Sequence, residues 1–207
     1  MSEVMGLFPT PLMRVRGVLD GPLIDTLVTH ATDAVRETNA RSGQLSHTEM
    51  MAPTSKTPFF RIAKLLTPRL VEFGSVLLGQ SLTWTIKEMW VNVLETRGHQ
   101  SVHAHANSFI SGIIYLTASH ASASTMFLKG LGGSEFVFSN HNKASKLGAF
   151  NSGKWIMPDV SPGDLVLFPS YLLHEVPRND GARRVTASFN AIPDRIENWG
   201  YSIKFSK

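Results

Sequence analysis

The sequence predicts a mainly β (α+β) fold: a jelly-roll core preceded by helices that pack on one of its sheets. Three observations lead there. Apolar residues recur at helical spacing only in the first 80 or so of the 207 residues. Beyond about residue 82 they gather into short β-branched and aromatic runs separated by Gly, Pro, Asn and Ser. No repeat, low-complexity tract or linker interrupts the chain, so one domain is expected over 1–207, with 1–80 as helical support and 82–207 as the jelly-roll core.

The first helix begins at Asp20, an N-cap residue followed by Gly21 and Pro22, since proline fits the first turn of a helix. Leu23, Leu27, Ala31, Ala34 and Val35 then return every three or four residues. Segment 40–57 is polar and turn-rich and reads as a loop. Leu65, Leu66, Leu70, Val71, Phe73, Val76 and Leu77 mark a second helical region over 60–79, in which Pro68 is expected to start a new helix. Trp84, Ile86, Met89, Trp90, Val91, Val93 and Leu94 open the strand region. Phe109–Leu116, Glu135–Phe138, Leu165–Phe168, Val185–Phe189 and Tyr201–Phe205 continue it.

Composition removes several chemistries. There is no cysteine, so disulfides, thiolate metal sites and cysteine nucleophiles are excluded, and any metal must rest on imidazole, carboxylate, amide or water. The formal charge is +4, but Lys and Arg are scattered, and the densest group is Arg178, Arg183 and Arg184. A nucleic-acid groove shows clustered basic residues with aromatics between them, so no nucleic-acid partner is expected. The N-terminus lacks the pattern of a signal peptide, and no apolar run reaches about 18 residues, so a cytoplasmic protein without a membrane span is expected. Ser170–Glu175 lacks the flanking glycines of a nucleophile elbow.

Three of the eight histidines stand in a chemical pattern. His103 and His105 are spaced i, i+2, which in an extended strand projects both imidazoles to one face, and the small Ala104 and Ala106 leave room beside them. Such a pair alone also occurs by accident on surfaces. Pro162-Gly163-Asp164 reads as a tight turn feeding the buried run Leu165-Val166-Leu167-Phe168-Pro169. His174 follows, where an uncharged core histidine is the ordinary alternative, and Glu175 points to the opposite face. Ten residues on, Arg184 and Thr186 alternate with Val185 and share a face. A guanidinium grips a carboxylate through two parallel hydrogen bonds, and a neighbouring hydroxyl adds a third.

With these motifs in place the chain resembles the 2-oxoglutarate–Fe(II) oxygenases found in phage and marine bacterial genomes, distantly similar to prolyl 4-hydroxylases. The resemblance rests on Leu7-Phe8-Pro9-Thr10-Pro11-Leu12, Trp90-Val91-Asn92, His103-Ala104-His105 with Ser111-Gly112-Ile113-Ile114-Tyr115-Leu116, the Pro162–Pro169 run with His174, and Arg184-Val185-Thr186-Ala187-Ser188-Phe189-Asn190. It implies a double-stranded β-helix, and an Fe(II) ion, 2-oxoglutarate and O2 as cofactor and cosubstrates. It implies His174 as distal iron ligand, Arg184 as the arginine that binds 2-oxoglutarate, Thr186 as its hydroxyl companion, and Tyr115 as a contact of the cosubstrate. The activity implied is hydroxylation of a C–H bond with release of succinate and CO2.

One departure from the family pattern stands out. The usual facial triad is two histidines and a carboxylate. With His103 as first ligand the acid position holds His105, and with His105 first it holds Asn107. The leading expectation is a three-histidine site of His103, His105 and His174. It would leave the ferrous site one unit more positive and favour the anionic cosubstrate. A remote acid such as Glu135 completing the site is the second reading, and a degenerate, inactive site the third.

A cupin-type metal enzyme that uses no 2-oxoglutarate and a non-catalytic jelly-roll protein are the competing readings; the first has no need of Arg184, and the second carries no stoichiometric iron. Of the other histidines, His30 and His47 read as solvated on a helix and a loop, and His99, His120 and His141 as loop residues, with His99 near enough in sequence to back the site. Trp84, Trp90, Trp155 and Trp199 read as core or rim. The substrate, peptidyl or small-molecule, is expected to be set by loops 40–57 and 129–154.

Overall fold

The computed structural model describes residues 2–34, 36–130, 140 and 142–205. In chain order the elements are β1 (Met13–Val15), α1 (Gly21–Asp33), β2 (Arg36–Thr38), β3 (Leu45–Thr48), α2 (Phe60–Leu78), β4 (Trp84–Leu94), β5 (Gln100–His103) and β6 (Ile110–Tyr115). A short 3₁₀ turn (Ala121–Ala123) precedes β7 (Met126–Leu128), β8 (Lys154–Ile156), β9 (Leu165–Pro169), β10 (His174–Val176), β11 (Arg184–Pro193), β12 (Arg195–Asn198) and β13 (Tyr201–Lys204).

Helix α1 starts as the sequence dictates: the Asp20 carboxylate accepts a hydrogen bond from the Leu23 amide, and Leu23, Leu27 and Ala31 form its buried stripe. It ends at Asp33, with Ala34 already extended; Val35 lies outside the described residues. His30, expected in solvent, instead sets its ring edge-on to Phe59 at 5.6 Å between centroids, because α1 packs there against the start of α2.

Helix α2 corrects the expectation at Pro68, which sits inside one continuous helix. Its buried face runs through Ile62, Leu66, Leu70 and Phe73 on both sides of the proline, so packing holds the helix together. Pro68 itself is on the exposed side, where water can satisfy the carbonyl that loses its partner. Leu65 and Val76 also face outward. Gly79, at φ 67°, closes the helix in the left-handed conformation.

Segment 40–57 is a second correction. It contains β3, which pairs with β2 and with β4. The local sequence is polar, yet Leu45 and Thr48 are buried, and the Val91 amide donates to the Thr48 hydroxyl. His47 therefore lies on a strand and not in a loop. The Glu135–Phe138 strand expected from the sequence lies outside the described residues, as do Glu135 and His141 themselves.

The strands form an antiparallel jelly roll. One sheet has seven strands in the order β1-β9-β6-β11-β4-β3-β2, and the facing sheet has four, β5-β10-β7-β8; β12 and β13 make a separate hairpin. The fold is mainly β, with the N-terminal helices on the outer face of the larger sheet. There Leu27, Ile62, Leu66, Leu70 and Phe73 meet Val91, Ile110, Leu165, Leu167 and Phe189 in the main core. On the inner face Ile113, Tyr115, Val166 and Phe168 pack against Phe127 of the small sheet.

Strand β11 shows how the sequence sorts these faces. Val185, Ala187 and Phe189 enter the helix-side core, while Arg184, Thr186, Ser188 and Asn190 are buried on the other side. A bulge in β4 keeps the facing strand in step: Asn190 pairs with Glu88 and Ala191 with Ile86, so Lys87 is the extra residue. The shift turns Glu88, Trp90 and Asn92 toward the inner side. Asp164, at the turn before β9, is buried and accepts hydrogen bonds from Arg14 at 2.7 Å and from the Gly17 amide at 3.0 Å, fixing the chain entry beside β1. Burial opposes its ionisation, but these bonds together outweigh it and hold its carboxyl below the usual range. Among the described residues no helix is long and apolar enough to cross a membrane.

Candidate active site

Between the two sheets lies a small pocket. His103, His105, His174 and Arg184 all line it, although their sequence separation reaches 81 residues. His103 and His174 are brought together by the pairing of β5 with β10, in which they are direct partners. His105 follows the end of β5, and its backbone amide donates to the Ser170 carbonyl at 2.9 Å. One ring nitrogen from each histidine lies within 4.8 Å of one from each of the others. Ala104 and Ala106 are exposed, pointing away from this cluster.

Hydrogen bonds orient the rings. Nδ1 of His103 donates to the Ser101 carbonyl at 2.8 Å and Nδ1 of His174 to the Leu172 carbonyl at 2.9 Å, which leaves Nε2 of each as the lone-pair atom. The Gln100 amide donates to His103 Nε2 at 3.3 Å, and Nε2 of His105 stands 3.3 Å from Nε2 of His174. Burial lowers all three pKa values, to about 4 at His105 and about 3 at His174; mutual repulsion between the rings adds to it at those two. At neutral pH the rings are uncharged, as a metal requires.

Asn107 is exposed, in a left-handed turn at φ 55°, and does not line the pocket. Among the described residues no carboxylate lines the pocket. Among the described residues Glu88 acts on His105, its charge raising the pKa of that ring against the larger lowering by burial. Glu175 is on β10 next to His174 but outside the pocket lining.

Arg184 is buried and forms no ion pair with any described acid. Its Nε donates to the Ser119 hydroxyl and one terminal nitrogen to the Thr125 hydroxyl, both at 3.1 Å. The guanidinium lies 5.3 Å from the centre of the Tyr115 ring, whose hydroxyl hydrogen-bonds with Thr125 at 2.8 Å. Burial lowers the guanidinium's pKa, opposed by Tyr115. Thr186 lines the pocket one step along β11, but the hydroxyls that hold Arg184 are those of Ser119 and Thr125. Tyr115 is fully buried and stands outside the pocket lining. Sequence reasoning missed Ser119, Thr125 and Gln100, which have no periodicity or motif to mark them.

Of the remaining candidates Trp90 alone lines the pocket. His99 and His120 are exposed. Arg178 pairs with Asp180 and Arg183 with Glu95, so with Arg184 buried the basic trio forms no surface patch. Trp90 lines the pocket, its ring 6.0 Å from that of His105, while Trp84 is in the core and Trp155 and Trp199 are exposed.

Residues 88–190 match the family described as "Putative 2OG-Fe(II) oxygenase". No sequence among the curated proteins matches the chain. Among solved structures, HygX from Streptomyces hygroscopicus with nickel and 2-oxoglutarate bound is similar at 13% identity and a TM-score of 0.63, over 89% of this chain and 83% of that one. The non-haem α-ketoglutarate-dependent epimerase SnoN from nogalamycin biosynthesis aligns at 15% identity and 0.64, over 90% and 80%. A prolyl-4-hydroxylase from Pseudomonas putida aligns at 14% and 0.58, over 87% and 92%. At these identities the likeness to solved structures concerns the fold.

Proposed function

The chain belongs to the 2-oxoglutarate–Fe(II) oxygenase family, and from that premise we propose that His103, His105 and His174 hold its ferrous ion and that Arg184 binds the distal carboxylate of 2-oxoglutarate. The observation that carries this reading is the pairing, in one pocket, of three converging neutral imidazoles with a buried arginine that has no acid partner among the described residues.

The donor set fits the metal. Non-haem iron accepts imidazole nitrogen, and His103, His105 and His174 would hold it. Nδ1 of His103 and of His174 is spent on a backbone carbonyl, so Nε2 is the donor atom each can offer. When bound, ferrous iron and 2-oxoglutarate supply the oxidation: O2 is activated as 2-oxoglutarate goes to succinate and CO2, and a C–H bond of the substrate is hydroxylated.

The protein's own part is binding, orientation and exclusion of water. Arg184 provides a buried positive charge, and a two-point grip on a carboxylate is stronger there than in open solvent. Ser119 and Thr125 take up part of its donor capacity and so fix the plane of the guanidinium. Tyr115 supports it from behind, and Thr186 offers a hydroxyl to the cosubstrate beside it. Phe168, Ile113 and Val176 give the pocket part of its apolar lining, beside the polar Asn92, Gln100 and Ser188. Among the described residues no carboxylate joins the three histidines, and such a three-histidine site would be more positive by one charge when loaded and hold the dianionic cosubstrate more strongly. We assign residues 1–207 to a single catalytic domain acting on a peptidyl or small-molecule substrate.

Succinate formation tests the reading. Iron-loaded protein supplied with 2-oxoglutarate in air is expected to produce succinate, and His174→Ala is expected to produce none. Wild-type protein that consumes no 2-oxoglutarate, or consumes it equally without iron, would overturn the proposal. Metal-dependent activity that survives Arg184→Ala would favour a metal enzyme independent of 2-oxoglutarate.

A further inference from the structure

The inner face of β4 carries a short relay of hydrogen bonds that crosses to β11. The Trp90 indole Nε1 donates to Asn92 Oδ1 at 3.1 Å, and Asn92 Nδ2 donates to the Ser188 hydroxyl at 3.0 Å. Trp90 and Ser188 are direct partners in the ladder, and Asn92 lies two residues along β4 on the same face. All three are buried, and all three line the pocket.

The relay has a fixed polarity. An indole nitrogen can only donate, so it holds the Asn92 amide with its oxygen toward Trp90 and its nitrogen toward β11. Ser188 Oγ accepts that N–H, which leaves the hydroxyl hydrogen to be given elsewhere. Among the described residues no protein acceptor takes it, and none takes the second N–H of Asn92. This wall therefore presents hydrogen-bond donors to the pocket.

The place of Ser188 along β11 says what those donors meet. Arg184 stands at one end of the inner face of that strand. At the other is Asn190, whose amide nitrogen donates to Glu88 and lies 3.4 Å from Nδ1 of His105. Thr186 and Ser188 fall between them on the same face. A 2-oxo diacid gripped by Arg184 at its distal carboxylate and reaching toward the histidines passes over Ser188, and every oxygen at its keto-acid end is an acceptor.

We infer that Ser188 and Asn92 donate hydrogen bonds to the keto-acid end of bound 2-oxoglutarate, and that Trp90 is a positioning residue whose indole N–H keeps both of them in that polarity. This rests on the proposed cosubstrate reading and concerns the opposite end of the molecule from the one that Arg184 holds. Buried hydrogen bonds to a charged ligand are strong because no water competes for them.

The test is calorimetric titration of the Ni(II)-loaded protein with 2-oxoglutarate, together with the position of the visible band of the anaerobic Fe(II) protein with 2-oxoglutarate. Ser188→Ala is expected to weaken binding about tenfold and to shift the band, whereas Arg184→Ala is expected to leave the band where it is. Trp90→Phe, which keeps an aromatic wall and removes the donor, is expected to weaken binding about three- to tenfold with Ni(II) affinity within about twofold of wild type. In an Asn92→Ala background, where the indole has no amide to orient, Trp90→Phe is expected to have no further effect. Asn92→Asp keeps the indole and reverses the polarity, since the carboxylate then takes the Ser188 hydrogen; it is expected to weaken binding about 100-fold or more and serves should Trp90→Phe fold poorly. Wild-type affinity in Trp90→Phe, an equal loss with and without Asn92, or an unshifted band at wild-type affinity in Ser188→Ala would overturn the inference while leaving the cosubstrate reading intact. Wild-type Ni(II) protein that binds no 2-oxoglutarate would overturn both.

Discussion

His103 and His174 are register partners across the antiparallel pair of β5 and β10, with their ring centroids 4.1 Å apart. The ladder fixes their separation before any metal arrives, so two ligands are preorganised by backbone pairing and His105 completes the set from the following loop. An ion that binds only the folded state stabilises it. Fe(II) or Ni(II) should therefore raise the melting temperature of the wild-type protein and leave that of His174→Ala unchanged, as measured by a thermal shift assay under anaerobic conditions.

Removal of the buried guanidinium separates cosubstrate binding from metal binding. Arg184→Ala should weaken 2-oxoglutarate binding by about 100-fold or more, the cost of losing a desolvated two-point charge contact. Thr125→Val, which removes the hydroxyl shared by Arg184 and Tyr115, should weaken it about tenfold. Calorimetric titration of the Ni(II)-loaded protein with 2-oxoglutarate measures both, and Ni(II) affinity should stay within about twofold of wild type in each.

Acid should destabilise the metal-free protein earlier than its carboxylates alone would require. The His105 and His174 rings titrate near 4 and 3 in the folded chain, chiefly because burial disfavours their charged forms, against 6.5 when unfolded. Between those limits the unfolded chain binds more protons, so stability is complete above about pH 6.5 and falls as the pH drops toward the folded values. From pH 7 to pH 5 the loss is roughly 2 kcal/mol for each ring as an upper bound. Urea unfolding at the two pH values checks this, and replacing His174 with Leu should flatten the dependence.

Gly112 leaves room for the ring of its register partner Phe189. A Cβ built at Gly112 would come within 2.2 Å of the Phe189 ring, in the middle of the larger sheet. Gly112→Ala should cost about 1–3 kcal/mol by overpacking, read as a lower urea midpoint at constant slope. Phe189→Leu in the same chain should recover part of the loss.

Much of this arrangement is legible in the sequence because it rests on local patterns. Period-two alternation along 184–190 gave both the strand and the shared face of Arg184 and Thr186, and the His-Ala-His spacing and the Pro162-Gly163-Asp164 turn placed the other motifs. What escaped depends on tertiary context. Leu45 and Thr48 are the only buried residues of β3, too few to mark a strand in a polar segment, and β4 supplies the pairing that makes it one. Pro68 looks like a helix start by propensity, yet the packed stripe around it overrides that preference. Ser119, Thr125, Glu88 and Asn190 reach the site from partners 59 to 102 residues away, so their roles follow from strand register and not from neighbours in the chain.

Anaerobic titration of the Fe(II)-loaded protein with 2-oxoglutarate, followed by visible absorption, bears most directly on the claim that one pocket holds both the ion and its cosubstrate. The expected result is a weak charge-transfer band that saturates in the wild type, is absent in His174→Ala, and needs far more 2-oxoglutarate in Arg184→Ala. A wild-type protein that shows no band, or an Arg184→Ala protein that saturates at the same concentration as wild type, would contradict it.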